Sequence, residues 1–219
     1  MKPVIIFDFD STFIMDETID FMAKNLSHDV QLKIKEITDK AMNGMLDFRS
    51  ALLLRTRKLK IHRNQIRDIA KRLERRISPS FQKNKKIINS MKNNVFIVSG
   101  GFKEIIIPIV NDFGILEKNI YANEFKFDNS GMVSGINEKL DMSYSNGKIR
   151  VLKHIDIKTG AYVVGDGMTD FEMTKSNKVK AFICYTENIK RSEVYNKSKY
   201  SASSLDKVFK IINEKEKNG

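Results

Sequence analysis

Two aspartates with one residue between them follow the first apolar run of the chain. That run, Val4–Phe7, is typical of a buried strand because it consists only of β-branched and aromatic residues. Asp8 and Asp10 stand at its carboxyl end, which is where open α/β sheets bind their ligands. Two carboxylates this close repel each other unless a cation lies between them, and a hard divalent cation such as Mg2+ suits oxygen ligands. The alternative for the pair is an ordinary acidic turn after a strand.

Three more segments supply polar groups next to apolar runs. They are Ser99-Gly100-Gly101-Phe102 after Val95–Val98, Asn146-Gly147-Lys148 before a helical pattern, and Gly165-Asp166-Gly167-Met168-Thr169-Asp170 after Ala161–Val164. The Ser-Gly-Gly segment predicts a turn at a helix N-terminus, where a hydroxyl and backbone N–H groups can bind an anion. Together the four segments offer carboxylates, a small hydroxyl and a lysine, a set that suits phosphoryl transfer. Taken singly, the serine could cap a helix, the lysine could lie on the surface, and the later aspartates could belong to a turn.

Taken in order, these four segments resemble the motifs of the haloacid dehalogenase superfamily phosphatases, and within them the phosphoserine phosphatase family. The resemblance covers nearly the whole chain and includes Asp16–Asp20, Ala41–Phe48 and Arg55. It implies a Mg2+-dependent phosphomonoesterase that hydrolyses O-phospho-L-serine, the last step of serine biosynthesis, through an aspartyl-phosphate. A phosphatase of the same fold acting on another small phosphomonoester is the first alternative. A basic nucleic-acid-binding protein on the same scaffold is the second.

The resemblance also implies which residues carry out the reaction. Asp8 would be the nucleophile, and Asp10 would protonate the leaving alkoxide and then activate water. Mg2+ would be bound by Asp8, by the main-chain carbonyl of Asp10 and by Asp166, with Asp170 supporting these ligands.

The remaining motif residues would contact the substrate. The phosphate oxygens would be bound by Ser99, the Gly100 N–H and Lys148. A phosphoserine leaving group carries an ammonium and a carboxylate, which Glu17 and Arg55 would bind between the apolar walls Met42 and Phe48. Thr169 stands where phosphoserine phosphatases usually carry asparagine, and this difference leaves room for a related substrate.

The strand and helix patterns predict an α/β fold in a chain of 219 residues. The resemblance makes this fold a doubly wound, Rossmann-like parallel sheet with an inserted all-helical cap domain. The core domain would comprise residues 1–13 and 79–219, and the cap domain residues 14–78. An insert at this point of the chain can act as a lid over the strand ends.

Helix and turn signals give the expected elements more closely. One cap helix should end at Asn43-Gly44, and Asp47 should N-cap the next. Further on, the pattern predicts a single helix from Phe81 to Lys92, a hairpin around residues 128–131, and a final helix from Leu205 to Lys217.

Nearly all of the net charge of +12 lies in one segment. Residues 55–86 hold thirteen Lys or Arg against two acids, a balance of +11. The same segment carries apolar residues at helical spacing, which are Ile66, Ile69, Ala70, Leu73 and Ile77. No aromatic residue lies between Arg55 and Ser80 to stack on bases, so no nucleic acid partner is expected. A solvated helix face that attracts a phosphorylated substrate is the simpler interpretation.

A single cysteine limits the redox chemistry of the chain. Cys184 excludes an intramolecular disulfide and, within the apolar run Ala181–Tyr185, should be a buried thiol. No apolar stretch reaches the roughly 18 residues of a membrane span, so no membrane partner is expected. We therefore expect a cytoplasmic monomer or homodimer whose partner is a small phosphomonoester.

Overall fold

The structure, a computed structural model, describes residues 3–24, 26–42 and 45–217. Its strands are β1 Val4–Phe7, β2 Val95–Phe102, β3 Ile120–Asn123, β4 Phe125–Phe127, β5 Val133–Ile136, β6 Ala161–Gly165, β7 Val179–Tyr185 and β8 Tyr200–Ala202. Its first helices are α1 Thr18–Ala23, α2 His28–Met42, α3 Phe48–Lys58, α4 Arg63–Glu74, α5 Pro79–Lys83 and α6 Lys85–Ser90. The later helices are α7 Lys103–Asn111, α8 Gly147–Val151, α9 Met168–Phe171, α10 Ser192–Lys197 and α11 Leu205–Lys217. Short 3-10 helices cover Glu117–Asn119, Asp141–Ser143, Leu152–His154 and Glu172–Lys175.

Six strands form one parallel sheet in the order β3-β2-β1-β6-β7-β8, and β4 pairs with β5 in a separate antiparallel hairpin. β1 lies between β2 and β6, so the strand order reverses on either side of it. Loops that leave such a switch point diverge and open a crevice at the carboxyl ends of the strands. The predicted parallel sheet and the hairpin around residues 128–131 are confirmed. β3 and β8 were not predicted, because neither is a continuous run of β-branched and aromatic residues like β1.

Helices cover both faces of the sheet, so its central strand is buried on both sides. Alternate residues of β1 enter two apolar clusters, with Ile5 and Phe7 in one and Val4 and Ile6 in the other. Continuous apolar strands of this kind are typical of parallel sheets. Cys184 on β7 is buried, as predicted. Within the described residues, no helix has both the length and the apolar character that a membrane crossing requires.

The segment between β1 and α5 is helical, as its pattern predicted, and holds α1 to α4. Asp47 N-caps α3 as predicted, because its carboxylate accepts a hydrogen bond from the Ser50 N–H at 3.1 Å. The predicted helix end at Asn43-Gly44 lies outside the described residues. Helix α4 turns its basic residues to solvent and buries four apolar ones, Ile66, Ile69, Ala70 and Leu73.

The side-chain amide of Asn188 forms hydrogen bonds to both ends of this helical segment. Its Nδ2, which carries two N–H groups, lies 3.1–3.2 Å from three main-chain carbonyl oxygens at the start of the segment, those of Ser11, Thr12 and Ile14. It also lies 2.6 Å from Ser78 Oγ at the other end. The start and the end of the helical segment are therefore held next to each other, and a β-bridge between Ile14 and Ile77 joins them as well.

The predicted single helix from Phe81 to Lys92 is wrong. The chain forms two short helices there, α5 and α6, with Asn84 between them. The backbone of Asn84 leaves α-helical geometry at φ −97° and ψ 13°, and its side-chain amide donates to the Ser80 carbonyl at 2.8 Å. An asparagine side chain competes with the helical backbone for hydrogen-bond partners, which hydrophobic periodicity does not register.

Replacing Asn188 by alanine should lower the free energy of unfolding by about 1–3 kcal/mol, because the partly buried carbonyl groups lose their donor. Equilibrium denaturation measures this change. Asn196→Ala removes an exposed amide from α10 and should alter stability by less than about 0.5 kcal/mol. An Asn188→Ala variant as stable as the control would show that the amide does not hold the two ends.

Candidate active site

Side chains from four segments meet at the carboxyl ends of β1, β2 and β6. Asp8 follows β1, Ser99 lies in the second half of β2, Asp166 follows β6, and Lys148 is the second residue of α8. All four line one cavity of about 570 Å³. The other predicted residues that line it are Asp10, Glu17, Phe48, Arg55, Gly100, Thr169 and Asp170. The side chain of Met42 lies outside those that the structure describes.

The ammonium group of Lys148 joins two of the carboxylates. Its Nζ lies 2.7 Å from Asp170 Oδ1 and 2.9 Å from Asp8 Oδ1. Burial alone would lower the pKa of Lys148, but the two carboxylates outweigh that effect and raise its pKa above the usual range. Lys148 therefore stays protonated. The sequence left open whether it was a surface lysine, and the structure places it inside.

Three buried carboxylates, those of Asp8, Asp166 and Asp170, form a cluster in which one oxygen from each lies within 4.8 Å of the others. Burial and the nearby Asp8 charge raise the pKa of Asp166, so the ionised cluster requires additional positive charge. Hard oxygen ligands at this spacing fit a divalent cation. The residues of this chain therefore fit a metal ion, and Asp170 belongs to the cluster itself as well as contacting Lys148.

The carboxylate of Asp10 has different surroundings. Its Oδ1 accepts a hydrogen bond from the Thr18 hydroxyl at the start of α1, and its Oδ2 lies beside Gly101. Burial and the neighbouring Glu17 charge raise the pKa of Asp10 well above its ordinary value. Asp8 is thus next to a lysine, whereas Asp10 is next to another acid. The i, i+2 spacing alone did not distinguish the two.

Asp170 reaches the cluster because residue 165 has no side chain. A Cβ at Gly165 would lie 2.4 Å from Asp170 Cγ, which is closer than two carbon atoms can pack. The Gly167 N–H donates to Asp170 Oδ2 at 3.2 Å and holds the carboxylate from the other side. Glycines in the Gly165–Asp170 segment therefore position the carboxylate that pairs with Lys148.

The predicted turn at Ser99-Gly100-Gly101 is wrong, because β2 continues through these residues and α7 begins only at Lys103. The register of β2 against β3 shifts within this stretch, so the strand is irregular where it meets the cavity. Glycines in a strand often mark such irregularities, which periodicity does not separate from a turn. Ser99 is buried, and its Oγ accepts a hydrogen bond from the Gly101 N–H at 3.0 Å.

Glu17 is paired with an arginine from a distant part of the chain. Its Oε1 accepts from Ser11 Oγ at 2.8 Å and from Arg191 Nη2 at 2.9 Å. Arg191 Nε also donates to Asp166 Oδ2 at 2.7 Å, so one guanidinium links Glu17 to the carboxylate cluster. Burial, only partly offset by Ser11, raises the pKa of Glu17.

The Arg55 guanidinium has a donor that no part of the described chain satisfies. Its Nε is buried without a hydrogen-bond partner, and burial lowers the pKa of Arg55. A buried unpaired donor is uncommon in native proteins because it has lost its water without a replacement. Beside a cavity, such a donor is typical of a site whose partner is a ligand.

Sequence reasoning missed three residues that hold the acids in place. Arg191 lies between β7 and α10, and as one of 39 basic residues it had no distinguishing type. The one feature of the sequence that pointed to Arg191 was its position after the apolar strand β7, which lies next to β6 in the sheet. Thr12 donates to Asp166 Oδ1 at 3.0 Å, and Thr18 donates to Asp10. Thr12 lies two residues after Asp10 and Thr18 follows Glu17, so a small hydroxyl close to a predicted acid was the available signal for both.

Gly165→Ala should lower the free energy of unfolding by about 1–3 kcal/mol, because the added methyl group overlaps the Asp170 carboxylate. Chemical denaturation measures the change. Gly135→Ala is the matched control, since its Cβ would lie 3.7 Å from Leu53 Cδ2, an ordinary contact. Equal stability of the two variants would mean that Asp170 moves aside without cost and that Gly165 does not position it.

Comparisons with known proteins bear on this site directly. The family model for haloacid dehalogenase-like hydrolases matches residues 5–175, which include all four segments that meet at the cavity. The chain is 34% identical over 185 residues to the chloroplastic phosphoserine phosphatase of Arabidopsis thaliana, a match that covers 83% of this chain. It spans 62% of that relative, which is less than two thirds of its length.

Two further matches cover most of both partners. The phosphoserine phosphatase of Homo sapiens is 30% identical over 199 residues, or 90% of this chain and 87% of the human protein. The crystal structure of a phosphoserine phosphohydrolase-like protein from Francisella tularensis has a TM-score of 0.82 at 26% identity, over 96% of this chain and 100% of that chain. This chain therefore belongs to the haloacid dehalogenase-like hydrolase family and, within that family, to the phosphoserine phosphatase group.

Proposed function

We propose that this chain is a Mg2+-dependent phosphatase that hydrolyses O-phospho-L-serine to L-serine and phosphate through an aspartyl-phosphate on Asp8. The observation that carries the proposal is the buried Lys148, which bridges Asp8 and Asp170 at a cluster of three carboxylates. A dianionic phosphate can approach such acids only where a fixed cation and a metal offset its charge. Relatives that are named phosphoserine phosphatases support the choice of substrate.

The metal would be held by oxygen atoms of the cavity. We assign it to the carboxylates of Asp8 and Asp166 and to the main-chain carbonyl of Asp10, with Asp170 supporting them through Lys148. Carboxylate and carbonyl oxygens, completed by water, are the ligands that Mg2+ prefers. When bound, Mg2+ would neutralise charge on the phosphoryl oxygens and align the phosphorus with Asp8.

Asp8 is assigned the role of nucleophile. Its Oδ1 is engaged by Lys148 Nζ at 2.9 Å and by the Phe9 N–H at 2.7 Å, which leaves Oδ2 for the attack. The bond from Oδ2 to phosphorus forms while the bond from phosphorus to the seryl oxygen breaks. The resulting acyl phosphate is labile, so a water molecule can release phosphate in a second step and regenerate the carboxylate.

Asp10 is assigned the transfer of the proton. The hydrogen bond from Thr18 orients its carboxyl group at the edge of the cavity. Asp10 would give a proton to the seryl oxygen as that oxygen leaves, and would take one from the attacking water in the second step. Thr18 begins α1, so the group that delivers the proton is oriented by the inserted helical segment.

The phosphate oxygens are assigned to three donors around the cavity, Ser99 Oγ, the Gly100 N–H and Lys148 Nζ. Lys148 is already fixed by two carboxylates, so it needs no reorganisation when the phosphate arrives. Phe48 approaches Gly100 from the inserted segment, since a Cβ at Gly100 would lie 3.8 Å from Phe48 Cζ. The phosphate would therefore be covered by an apolar ring on that side.

Arg55 and Glu17 are assigned to the amino-acid part of the substrate. The buried, unpaired Nε of Arg55 would gain its missing acceptor from the substrate carboxylate. Ser11 and Arg191 both engage Oε1 of Glu17, which leaves Oε2 for the substrate ammonium. One acid and one arginine in the same cavity match the two charges of a phosphoserine leaving group.

We further propose that residues 14–78 form a cap domain that closes over a core domain of residues 1–13 and 79–219. Two observations support this division. The two ends of the segment are held together by Asn188, and the segment contributes Glu17, Phe48 and Arg55 to the lining of the cavity. Closure over the bound substrate would exclude bulk water while the phosphoryl group is transferred. A cytoplasmic location and a monomeric or homodimeric state remain predictions.

A phosphatase for another small phosphomonoester is the second candidate, and one observation favours it. Glu17 is already paired with Arg191, so a substrate ammonium has to share that carboxylate. Thr169, the residue that departs from the family pattern, is exposed at the same cavity. Phosphate release from L-phosphoserine, L-phosphothreonine and sugar phosphates separates the two candidates, and the proposal requires L-phosphoserine to give the highest kcat/KM.

Asp8→Asn should reduce turnover of L-phosphoserine by several orders of magnitude, because the amide keeps the shape of the side chain but cannot attack phosphorus. The measurement is steady-state phosphate release with Mg2+ present. Asp156→Asn changes an exposed aspartate outside the cavity and should leave the rate unchanged. Near-normal turnover by Asp8→Asn would reject Asp8 as the nucleophile.

Removal of divalent metal by a chelator should abolish phosphate release, and added Mg2+ should restore it, because the carboxylate cluster then regains its cation. Ca2+ should inhibit, since its larger and looser coordination sphere would misalign the attack. Titration of the metal-free protein by calorimetry gives the affinity independently of turnover. Full activity in excess chelator would contradict the metal assignment.

Arg55→Ala should lower kcat/KM for L-phosphoserine, because the substrate carboxylate loses its partner in a closed site. The decrease should correspond to a loss of roughly 2–5 kcal/mol of transition-state stabilisation. An aryl phosphate lacks that carboxylate, so its hydrolysis should change little. Arg57→Ala is the matched control on the exposed face of the same helix and should affect neither substrate. Equal losses for both substrates in Arg55→Ala would mean that Arg55 serves the fold or cap closure instead of specificity.

A further inference from the structure

A second cavity, of about 290 Å³, lies beside the last two strands of the parallel sheet. Lys180 on β7 and Tyr200, the first residue of β8, contribute to its lining. These residues lie near the amino ends of their strands, whereas the candidate active site follows the carboxyl ends of β1, β2 and β6. The two cavities share no lining residue. The proposed hydrolysis therefore does not use this second cavity.

Four lysines and no acid line the second cavity; they are Lys180, Lys197, Lys199 and Lys215. Two of these lysines form ion pairs with glutamates that do not line the cavity. Lys180 pairs with Glu216 at 2.6 Å, and Lys197 pairs with Glu193 at 2.9 Å. Lys199 and Lys215 form no ion pair with any carboxylate in the part of the chain that the structure describes. Two uncompensated positive charges therefore remain at one small cavity.

Both uncompensated lysines lie against Tyr200. Lys215 Nζ donates to the Tyr200 hydroxyl at 3.1 Å and lies 4.8 Å from the ring centre, and Lys199 Nζ lies 5.7 Å from it. The hydrogen bond from Lys215 lowers the pKa of Tyr200, as expected in cationic surroundings. Two ammonium groups gathered on one ring repel each other, and a bound anion would relieve that repulsion.

The inner wall of the cavity is apolar. Phe182 on β7 is buried, and Phe171 packs against it edge to face with ring centres 5.7 Å apart. An apolar wall with a few charged groups at its rim is the usual composition of a small-molecule site. A bare inorganic anion would use the lysines and leave this wall without a partner.

We infer that this second cavity binds a small organic phosphate or phosphonate, with its dianionic group at Lys199 and Lys215 and its apolar body against the partly exposed ring of Phe171, which packs on Phe182. The dianion matches the two uncompensated charges, and the volume of about 290 Å³ limits the ligand to a small molecule. Phe171 directly follows Asp170 in the sequence, so the occupant would contact the helix that carries an acid of the candidate active site.

Phenylphosphonate is a suitable probe, because its carbon–phosphorus bond is not a phosphomonoester and the proposed reaction does not consume it. Amide chemical-shift mapping by NMR on the full chain with Mg2+ should show perturbations at Lys180, Lys199, Tyr200 and Lys215. Methylphosphonate, which carries the same charged group without the ring, should bind at the same place more weakly. A probe that perturbs only residues around Asp8, Ser99 and Lys148 would overturn the inference.

Matched charge variants complete the test. Replacing both Lys199 and Lys215 by glutamine should raise the dissociation constant of phenylphosphonate by roughly tenfold or more at this cavity. Replacing Lys207 and Lys210 by glutamine removes the same net charge from α11 outside the cavity and should leave the dissociation constant unchanged. Equal weakening by both pairs would mean that net charge alone attracts the probe, and no specific site would then remain.

Discussion

Repulsion among buried carboxylates is the constraint on which the rest of this structure depends. Asp8, Asp166 and Asp170 approach one another within 4.8 Å in surroundings where water screens their charges poorly. Lys148 offsets part of that repulsion from within, through two contacts shorter than 3 Å, and Arg191 offsets another part at Asp166. The charge that remains is what a divalent cation would neutralise. Both the stability of the fold and phosphate chemistry at this site therefore require positive charge next to the three carboxylates.

The topology of the sheet makes this crowding possible. Because β1 lies between β2 and β6, loops that are distant in sequence end next to one another at one edge. The segments after β1 and β6 contribute carboxylates, β2 contributes the Ser99 hydroxyl, and α8 contributes the Lys148 ammonium group. The helical segment begins a few residues after Asp10, and its first helix, α1, places Glu17 and Thr18 beside the same edge of the sheet.

Residues that follow strongly apolar strands were the easiest to predict from sequence. Asp8 and Asp166 come after buried runs that end sharply, so their positions at the sheet edge followed from periodicity and from the general location of α/β ligand sites. Ser99 was identified as a site residue in the wrong setting, since an irregular strand and a turn look alike when glycines follow. The pairing of Arg191 with Glu17 and Asp166 could not be predicted, because it depends on contacts between loops that only the strand order brings together. The different surroundings of Asp8 and Asp10 could not be predicted from their spacing for the same reason. The break at Asn84 was missed for a different reason, which is a side chain competing with helical hydrogen bonds.

The most direct test of this account looks for the phosphoryl group on Asp8 itself. The protein is mixed with L-phosphoserine and Mg2+, quenched in acid within the first turnover, and digested for mass spectrometry. We expect one phosphoryl group on the peptide that contains Asp8, removable by hydroxylamine as an acyl phosphate and absent from Asp8→Asn. A phosphoryl group on Ser99 or another residue, or rapid turnover with no phosphorylated peptide at any time, would contradict it.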